Sequence, residues 1–355
     1  MNLAALSPAA SPAAALAAAR LQRLPLVTLY LTERCNSRCV TCDYWRYGAD
    51  DLSLQGLQQL LPELRRLHTE VALFSGGEPL LNPAWEPMAQ LLRAAGLRLW
   101  LLTSGLSLAK HAARAAALFG SITVSLDGTN RATYQAIRGL DAFENVCAGV
   151  RAAAAHGVPV GLRVTLQRAN YRELPRFVEL AHECNARQIS FLAVDVANPH
   201  AFARKDPRAL HLALQAEDLD PLQQLLQQLE HDHAADFRSG FIAESPQKLR
   251  RLHQYFAAVL GRAPYPAVRC NAPEVSAVVD AHGQLHPCFF IAGPTQAAAL
   301  TSGLDAALNS APMTALRAQI RAGQRPECAT CVCPLWRTPG RPLGLLPGAA
   351  GDPHV

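Results

Sequence analysis

Residues 31–45 read LTERCNSRCVTCDYW and set three cysteines, Cys35, Cys39 and Cys42, at C-x3-C-x2-C spacing directly after an apolar, strand-like run. A loop of this kind folds three thiolates toward one point. A closed structural zinc site takes four ligands, usually as two pairs, whereas three thiolates on a 4Fe-4S cluster leave one iron open to a substrate or cofactor. The triplet therefore suits a cluster better than it suits zinc.

About thirty residues on, Val71 to Phe74 form a second apolar run that ends in Ser75-Gly76-Gly77-Glu78-Pro79. Glycines let backbone groups approach a ligand closely, and Glu78 supplies an acceptor for a cationic amine. With both motifs in this order the chain resembles the radical SAM superfamily. The resemblance implies a catalytic 4Fe-4S cluster with one open iron on Cys35, Cys39 and Cys42. It also implies S-adenosylmethionine held through its amino group by Gly76, Gly77, Glu78 and Pro79, and a 5'-deoxyadenosyl radical that abstracts a substrate hydrogen. An electron donor of the flavodoxin or ferredoxin type would supply the cluster.

Further elements follow in the order that this resemblance requires. Residues 100–105 (WLLTSG) read as a third strand ending in a polar turn that carries Ser104, and 122–128 (ITVSLDG) as a fourth ending in Ser125 and Asp127. By similarity these residues face S-adenosylmethionine. Tyr134-Gln135-Ala136-Ile137-Arg138-Gly139 looks like the Y-x-x-I-R-G stretch of the branch that carries SPASM or Twitch domains. Arg138 is then a candidate for carboxylate pairing, where a planar fork of donors excels; the alternative is a solvated surface arginine. The residue before the last loop cysteine, often aromatic in the family, is Thr41 here, so an adenine contact would fall to Tyr44 or Trp45.

Near the C-terminus, Cys270 is followed by twelve residues, Gly283, four residues and Cys288, and later by Cys328, Cys331 and Cys333 in ECATCVCPLW. This resembles the opening of a SPASM domain followed by a C-x2-C pair. No cysteine follows Cys333, so the match is to the shortened Twitch version with one auxiliary 4Fe-4S cluster. The resemblance implies Cys270, Cys288, Cys328 and Cys331 as ligands, with Cys333 an alternative to Cys331. Residues 275–279 and 285–290 read as a hairpin around Asp280-Ala281-His282-Gly283 that brings Cys270 and Cys288 together. A structural zinc ribbon uses the same ligand type and stands as the alternative.

Composition points to a large core with a small satellite: 355 residues, half of them apolar, carry a net charge of +5 and no basic run that argues for nucleic acid. No apolar stretch approaches the ~20 residues of a membrane span. The alanine-rich start, MNLAALSPAASPAAALAAAR, lacks the basic opening of a secretory signal, which fits a reducing, cytoplasmic setting. Cys147 and Cys184 fall in helical patterns and read as core residues.

Six strands near 26–32, 70–75, 98–103, 121–126, 159–166 and 187–195 alternate with helices. The alternation implies an α/β fold with a parallel sheet, and the six units match what the resemblance implies: a partial (β/α)6 barrel of parallel strands, with a small C-terminal β-hairpin plus helix iron-sulfur domain. The division expected is a flexible extension (1–24), a barrel (25–198), a helical, substrate-covering linker (199–264), the Twitch-like domain (265–337) and a flexible tail (338–355). Arg163, Thr165 and Gln167, with Asp195 and Asn198, face the barrel or solvent. His200, His211, His231, His233 and His253 dot the linker without metal spacing, and His231-Asp232-His233 reads as a solvated helix end. The resemblance implies a small-molecule or peptide substrate and an oxidative modification.

Overall fold

The computed structural model describes residues 20–198, 202, 207–294, 297–338 and 343. The six apolar runs become strands β1 (Leu26–Thr32), β2 (Val71–Gly76), β3 (Arg98–Thr103), β4 (Ser121–Ser125), β5 (Val160–Leu166) and β6 (Gln188–Ala193). Helices α1 (Leu54–Arg66), α2 (Trp85–Ala94), α3 (Leu108–Leu118), α4 (Arg131–Arg138), α5 (Phe143–Ala155) and α6 (Leu174–Glu183) run between them. Caps start two of these helices: Ser53 Oγ accepts from Gly56 N at 3.0 Å and Asn130 Oδ1 from Thr133 N at 3.0 Å. Each crossover returns the chain beside its predecessor, so β1 to β6 are parallel neighbours.

The C-terminal hairpin is part of this sheet. Strand β7 (Ser276–Val279) pairs parallel with β1 from Leu26↔Ser276 to Leu29↔Val279, and β8 (Leu285–His286) returns antiparallel to β7. The sheet is open, with eight strands in the order β6-β5-β4-β3-β2-β1-β7-β8. The second arm of the hairpin, expected to reach Phe290, is only two residues long. Pro287 follows at once and has no amide to give the ladder, which frees the next residues to turn away.

Alternation along the strands separates two environments. One face, with Val27, Leu29, Phe74, Leu101, Val124, Val164 and Phe191, packs under the helices in one large core. On the inner face, Val71, Leu73, Trp100 and Leu26 form a small apolar cluster at the base. Thr28, Tyr30, Ser75, Thr123, Ser125, Arg163 and Thr165 lead from it toward the C-terminal ends of the strands. Chemistry in such barrels gathers at those ends.

The ends of the described chain are anchored. Residues 1–19 of the expected extension lie outside the described residues, but Leu24 is fully buried and Leu21 N donates to Asn309 Oδ1 at 2.8 Å. In the stretch read as a flexible tail, Leu343 is buried against Val71, Leu73 and Trp100, and its carbonyl accepts from Arg98 at 3.1 Å. Of the linker, α7 (Leu219–Asp232) and α8 (Pro246–Val259) pack on one another, and α8 reaches β6. His231 is exposed at the end of α7 and bonds Asp232, whereas His200 lies outside the described residues. Cys147 and Cys184 are buried in the core.

Phe74 is fully buried and meets the Phe119 ring edge-on at 5.5 Å. Phe74→Ala should therefore cost about 3–5 kcal/mol of unfolding free energy. Chemical denaturation would show this as a lower midpoint with an unchanged slope.

Candidate metal centres and cofactor site

The three-cysteine loop leaves the C-terminal end of β1, where the register with β2 shifts between Tyr30 and Thr32. A bulge of this kind re-aims the chain. Arg34 then ties the loop down: its guanidinium bonds Asp51 Oδ2 at 2.5 Å and the Leu81 carbonyl at 3.0 Å. Farther along, the loop pairs with the end of α4, Arg38 N donating to Arg138 O at 3.0 Å and Val40 N to Ile137 O at 2.9 Å. This pairing turns Ser37 and Cys39 inward and leaves Arg38 and Val40 exposed. Close approach requires a glycine on the helix side, because a Cβ at Gly139, whose φ is +75°, would lie 2.4 Å from Arg38 O.

Inside the loop, Cys35 Sγ accepts from Ser37 N at 3.5 Å, and Ser37 Oγ lies 3.1 Å from Cys39 Sγ. Burial pushes the Cys35 thiol up to about 11, with the charges of Glu78 and Cys39 adding to it. Burial likewise pushes Cys42 up to about 12, with Cys39 and Cys35 adding, and the Arg138 guanidinium pulls both values back. A metal centre here must displace thiol protons, the usual coupling of thiolate ligation to pH.

Spacing tests which centre fits. Thiolates ~2.3 Å from one tetrahedral zinc sit roughly 3.8 Å apart. Among the described residues no three cysteine sulfurs lie within 4.8 Å of one another; the one triad of metal-binding groups that compact is Glu33, Asp50 and His282, at the surface. Wider spacing suits a cluster in which each thiolate has its own iron.

Gly76 and Gly77 bring the next motif against this loop. Gly77 N donates to Thr32 O and Glu78 N to Arg34 O, both at 2.8 Å, and a Cβ on Gly77 would stand 2.2 Å from Arg34 O. Glu78 is fully buried. Its carboxylate accepts from Thr103 Oγ1 at 2.8 and 2.9 Å, Ser104 N at 2.7 Å and Leu80 N at 3.2 Å. Burial raises the Glu78 carboxyl above its ordinary value, and the bonds from Ser104, Thr103 and Leu80 restrain the rise. Pro79 opens the short turn Pro79–Leu81, and Ser104 Oγ donates to Asn36 Oδ1 at 3.2 Å, joining β3 to the cysteine loop.

Asp127 and Arg138 meet each other. Arg138 Nη1 bonds Asp127 Oδ2 at 3.1 Å, Arg138 Nη2 bonds the Ser125 carbonyl at 3.2 Å, and Thr165 N bonds Asp127 Oδ1 at 2.7 Å. Both side chains are buried, so Arg138 is no surface arginine and the carboxylate it pairs with is internal. Burial alone would lower the Arg138 value, but Cys39 and then Asp127 push it up instead. Arg138 is a fixed cation beside the cysteine loop, well placed to offset the charge of a thiolate-bound cluster.

The inner wall carries further polar groups. Ser125 and Arg163 are half-buried neighbours in register, with Arg163 Nε 3.3 Å from Ser190 Oγ. Gln167 is 1% exposed, and both its amide atoms are buried without a hydrogen-bond partner. Such a group costs stability unless a ligand meets it. Asp195 and Asn198 are buried, and Asn198 Nδ2 bonds the Phe290 carbonyl at 2.8 Å. Tyr44 stands edge-on to Tyr30, and Trp45 Nε1 bonds the Cys39 carbonyl at 3.4 Å.

The five C-terminal cysteines also converge. Cys270 Sγ accepts from Ala272 N and Leu335 N at 3.5 Å, and Cys288 Sγ from Phe290 N at 3.4 Å. Burial pushes Cys288 up to about 12, with Cys270 and Cys328 adding, and Cys328 up to about 11, with Cys270 adding. Cys331 rises through burial and then through Cys333, Cys270 and Cys288. Half-buried thiols, with amides aimed at the Cys270 and Cys288 sulfurs, form a donor set of the kind an iron-sulfur centre uses.

Sequence reasoning passed over Arg34, Asn36, Ser37 and Thr103. Each stands within three residues of a motif, but only tertiary pairing gives it a role. Tyr30 was legible only as one position of an alternating strand.

Two outcomes follow. Gly139→Ala should cost roughly 1–3 kcal/mol and lower iron at the N-terminal site, because the new Cβ strikes the loop. Gly157→Ala carries similar backbone strain at a φ of +82° with nothing within 4 Å, so it should lose stability in thermal unfolding but keep its iron. Thr103→Val removes the hydroxyl that donates to both Glu78 oxygens, and titration calorimetry should show S-adenosylmethionine binding weakened on the order of tenfold. Amine binding needs the ionised carboxylate, so affinity falls as pH drops through the raised Glu78 value, and in the variant this loss begins at higher pH.

Comparison with known proteins agrees with this geometry. Residues 29–181 match the radical SAM superfamily. The chain is 30% identical over 201 residues to an Fe-coproporphyrin III synthase of Methanosarcina barkeri, covering 55% of this chain and 50% of that protein. It is 34% identical over 167 residues to a pre-heme d1 synthase of Dinoroseobacter shibae (45% and 41%) and 35% identical over 175 residues to a GTP 3',8-cyclase of Erythrobacter litoralis (45% and 52%). The chain thus spans about half the length of these relatives. The fold is shared with Streptococcus suis SuiB bound to precursor peptide SuiA, at a TM-score of 0.64 and 12% identity, covering 86% of this chain and 69% of SuiB. It is also shared with anSMEcpe bound to AdoMet, at a TM-score of 0.54 and 18% identity (76% and 74%). Among the described residues no helix is long and apolar enough to cross a membrane. The three-cysteine loop, zipped to the Gly76–Pro79 motif at the strand ends, lies within the residues that match the radical SAM superfamily.

Proposed function

We propose that this chain is a two-cluster radical S-adenosylmethionine enzyme that oxidatively modifies its substrate in the biosynthesis of a cofactor or a modified peptide. One observation carries the reading: the inward-turned cysteine loop and the buried, fully oriented Glu78 carboxylate share one backbone junction at Thr32 and Arg34. Cys35, Cys39 and Cys42 would hold a 4Fe-4S cluster there, which when reduced would supply the electron for reductive cleavage of S-adenosylmethionine and so the means of hydrogen abstraction from the substrate.

The chain's own residues set the terms for that chemistry. Cys35, Cys39 and Cys42 are three ligands for four irons, which leaves one iron for the amino-acid end of S-adenosylmethionine. Glu78 accepts from its ammonium, and Ser104, Ser125 and Arg163 offer donors along the same inner wall. Asp127 and Arg138 act behind them, bracing β4 against β5 and balancing charge at the loop. Cys270, Cys288 and Cys328, with Cys331 or Cys333, hold the second cluster. The relatives' names speak of porphyrins and a nucleotide, which supports a planar small molecule, and the peptide in the SuiB structure supports a peptide substrate. An external one-electron donor of the flavodoxin or ferredoxin type and a reducing, cytoplasmic setting complete the reading.

The test is 5'-deoxyadenosine release by anaerobically reconstituted protein under strong reductant. Slow release that vanishes in Cys35→Ala while roughly half the iron remains supports the reading. Full iron with no release, with or without candidate substrates, would instead identify an iron-sulfur scaffold.

A further inference from the structure

Two cysteine-bearing loops meet at one side chain. Tyr30, on the inner face of β1, lies with its ring centroid 6.0 Å from Tyr44, edge to face, and 6.2 Å from Phe289. Tyr44 is two residues beyond Cys42, and Phe289 is next to Cys288. Strand β7 lies parallel to β1, so its hairpin turn stands at the strand end from which the three-cysteine loop departs, and the residues after β8 bring Phe289 against Tyr30. Phe289 is 39% exposed, one of few large apolar side chains left open. Its position beside Tyr30 is therefore not explained by core packing.

Electron counting gives the meeting a use, and here the argument rests on the two-cluster reading. Each cleavage of S-adenosylmethionine consumes one electron. Hydrogen abstraction leaves a substrate radical, and its conversion to an even-electron oxidised product releases one electron and one proton. An electron left at the C-terminal site has to reach the N-terminal site before the next cleavage, unless an external donor replaces it. We infer that Tyr44, Tyr30 and Phe289 form an aromatic bridge through which that electron returns, with Tyr30 as its central member. Burial raises the Tyr30 phenol well above its ordinary value, and the charges of Tyr44, Cys288 and Cys42 add to the rise.

The experiment uses the full chain with both sites reconstituted. Both clusters are photoreduced, excess reductant is removed, and S-adenosylmethionine is added while freeze-quench EPR follows each cluster and 5'-deoxyadenosine is counted. The native protein should yield about two equivalents per chain, one for each stored electron, with the C-terminal signal decaying as the second appears. In Tyr30→Leu the first equivalent should form as in the native protein, the second should be lost, and the C-terminal signal should persist. Tyr30→Phe keeps the ring and should behave as native.

The bridge is overturned if Tyr30→Leu drains its C-terminal cluster at the native rate. It is equally overturned if the native protein, with both signals present, releases 5'-deoxyadenosine yet retains the C-terminal signal. Failure of the underlying reading looks different: the reconstituted chain would then show no second EPR signal, and Cys288→Ala would leave iron unchanged.

Discussion

A loop rich in thiols has little structure of its own, and its sulfurs repel one another once ionised. The pairing of residues 38–40 with the last turn of α4 holds this one in shape. Two amide-to-carbonyl bonds decide which side chains face inward, and much else in the barrel serves them. Asn130 caps α4 so that the helix ends at the right height, and Gly139 ends it without a side chain in the way. The bulge at the end of β1 points the loop toward that helix in the first place.

Charge is handled with the same economy. A lone buried charge is expensive, and a pair broken at one member leaves the other stranded. Glu78 is held by four donor contacts from two strand ends, while Asp127 and Arg138 neutralise each other, with Arg138 Nη2 and Asp127 Oδ1 bonding backbone. Every ionised group near the site is thereby oriented before a cofactor arrives. Gln167, beyond the end of β5, is a buried amide whose two side-chain polar atoms have no hydrogen-bond partner.

The barrel was legible because its signals are local. Each strand was a short apolar run, each functional motif followed one directly, and the spacings of the cysteines needed no tertiary knowledge. What escaped was pairing across distance. Arg138 read as a group for an external carboxylate or for solvent, since nothing in its own helix reveals that Asp127, eleven residues earlier on another element, is its partner. The hairpin at 275–290 was legible as a hairpin, but its pattern does not say that its first strand would pair with β1. Leu24 and Leu343 looked like ends of flexible segments, and only the assembled core shows the places they fill.

The parallel pairing of β1 with β7 also bears on how the molecule forms. Ser276 lies 250 residues beyond Leu26, so one edge of the first strand waits for almost the whole chain to be made. Contacts of such long sequence separation form late, after the cost of closing the intervening loop has been met by more local structure. Until then the cysteine loop sits at an open sheet edge within reach of whatever delivers iron and sulfide. Addition of the hairpin covers that edge and brings the C-terminal cysteines to the region of the cysteine loop only after the rest of the sheet has formed.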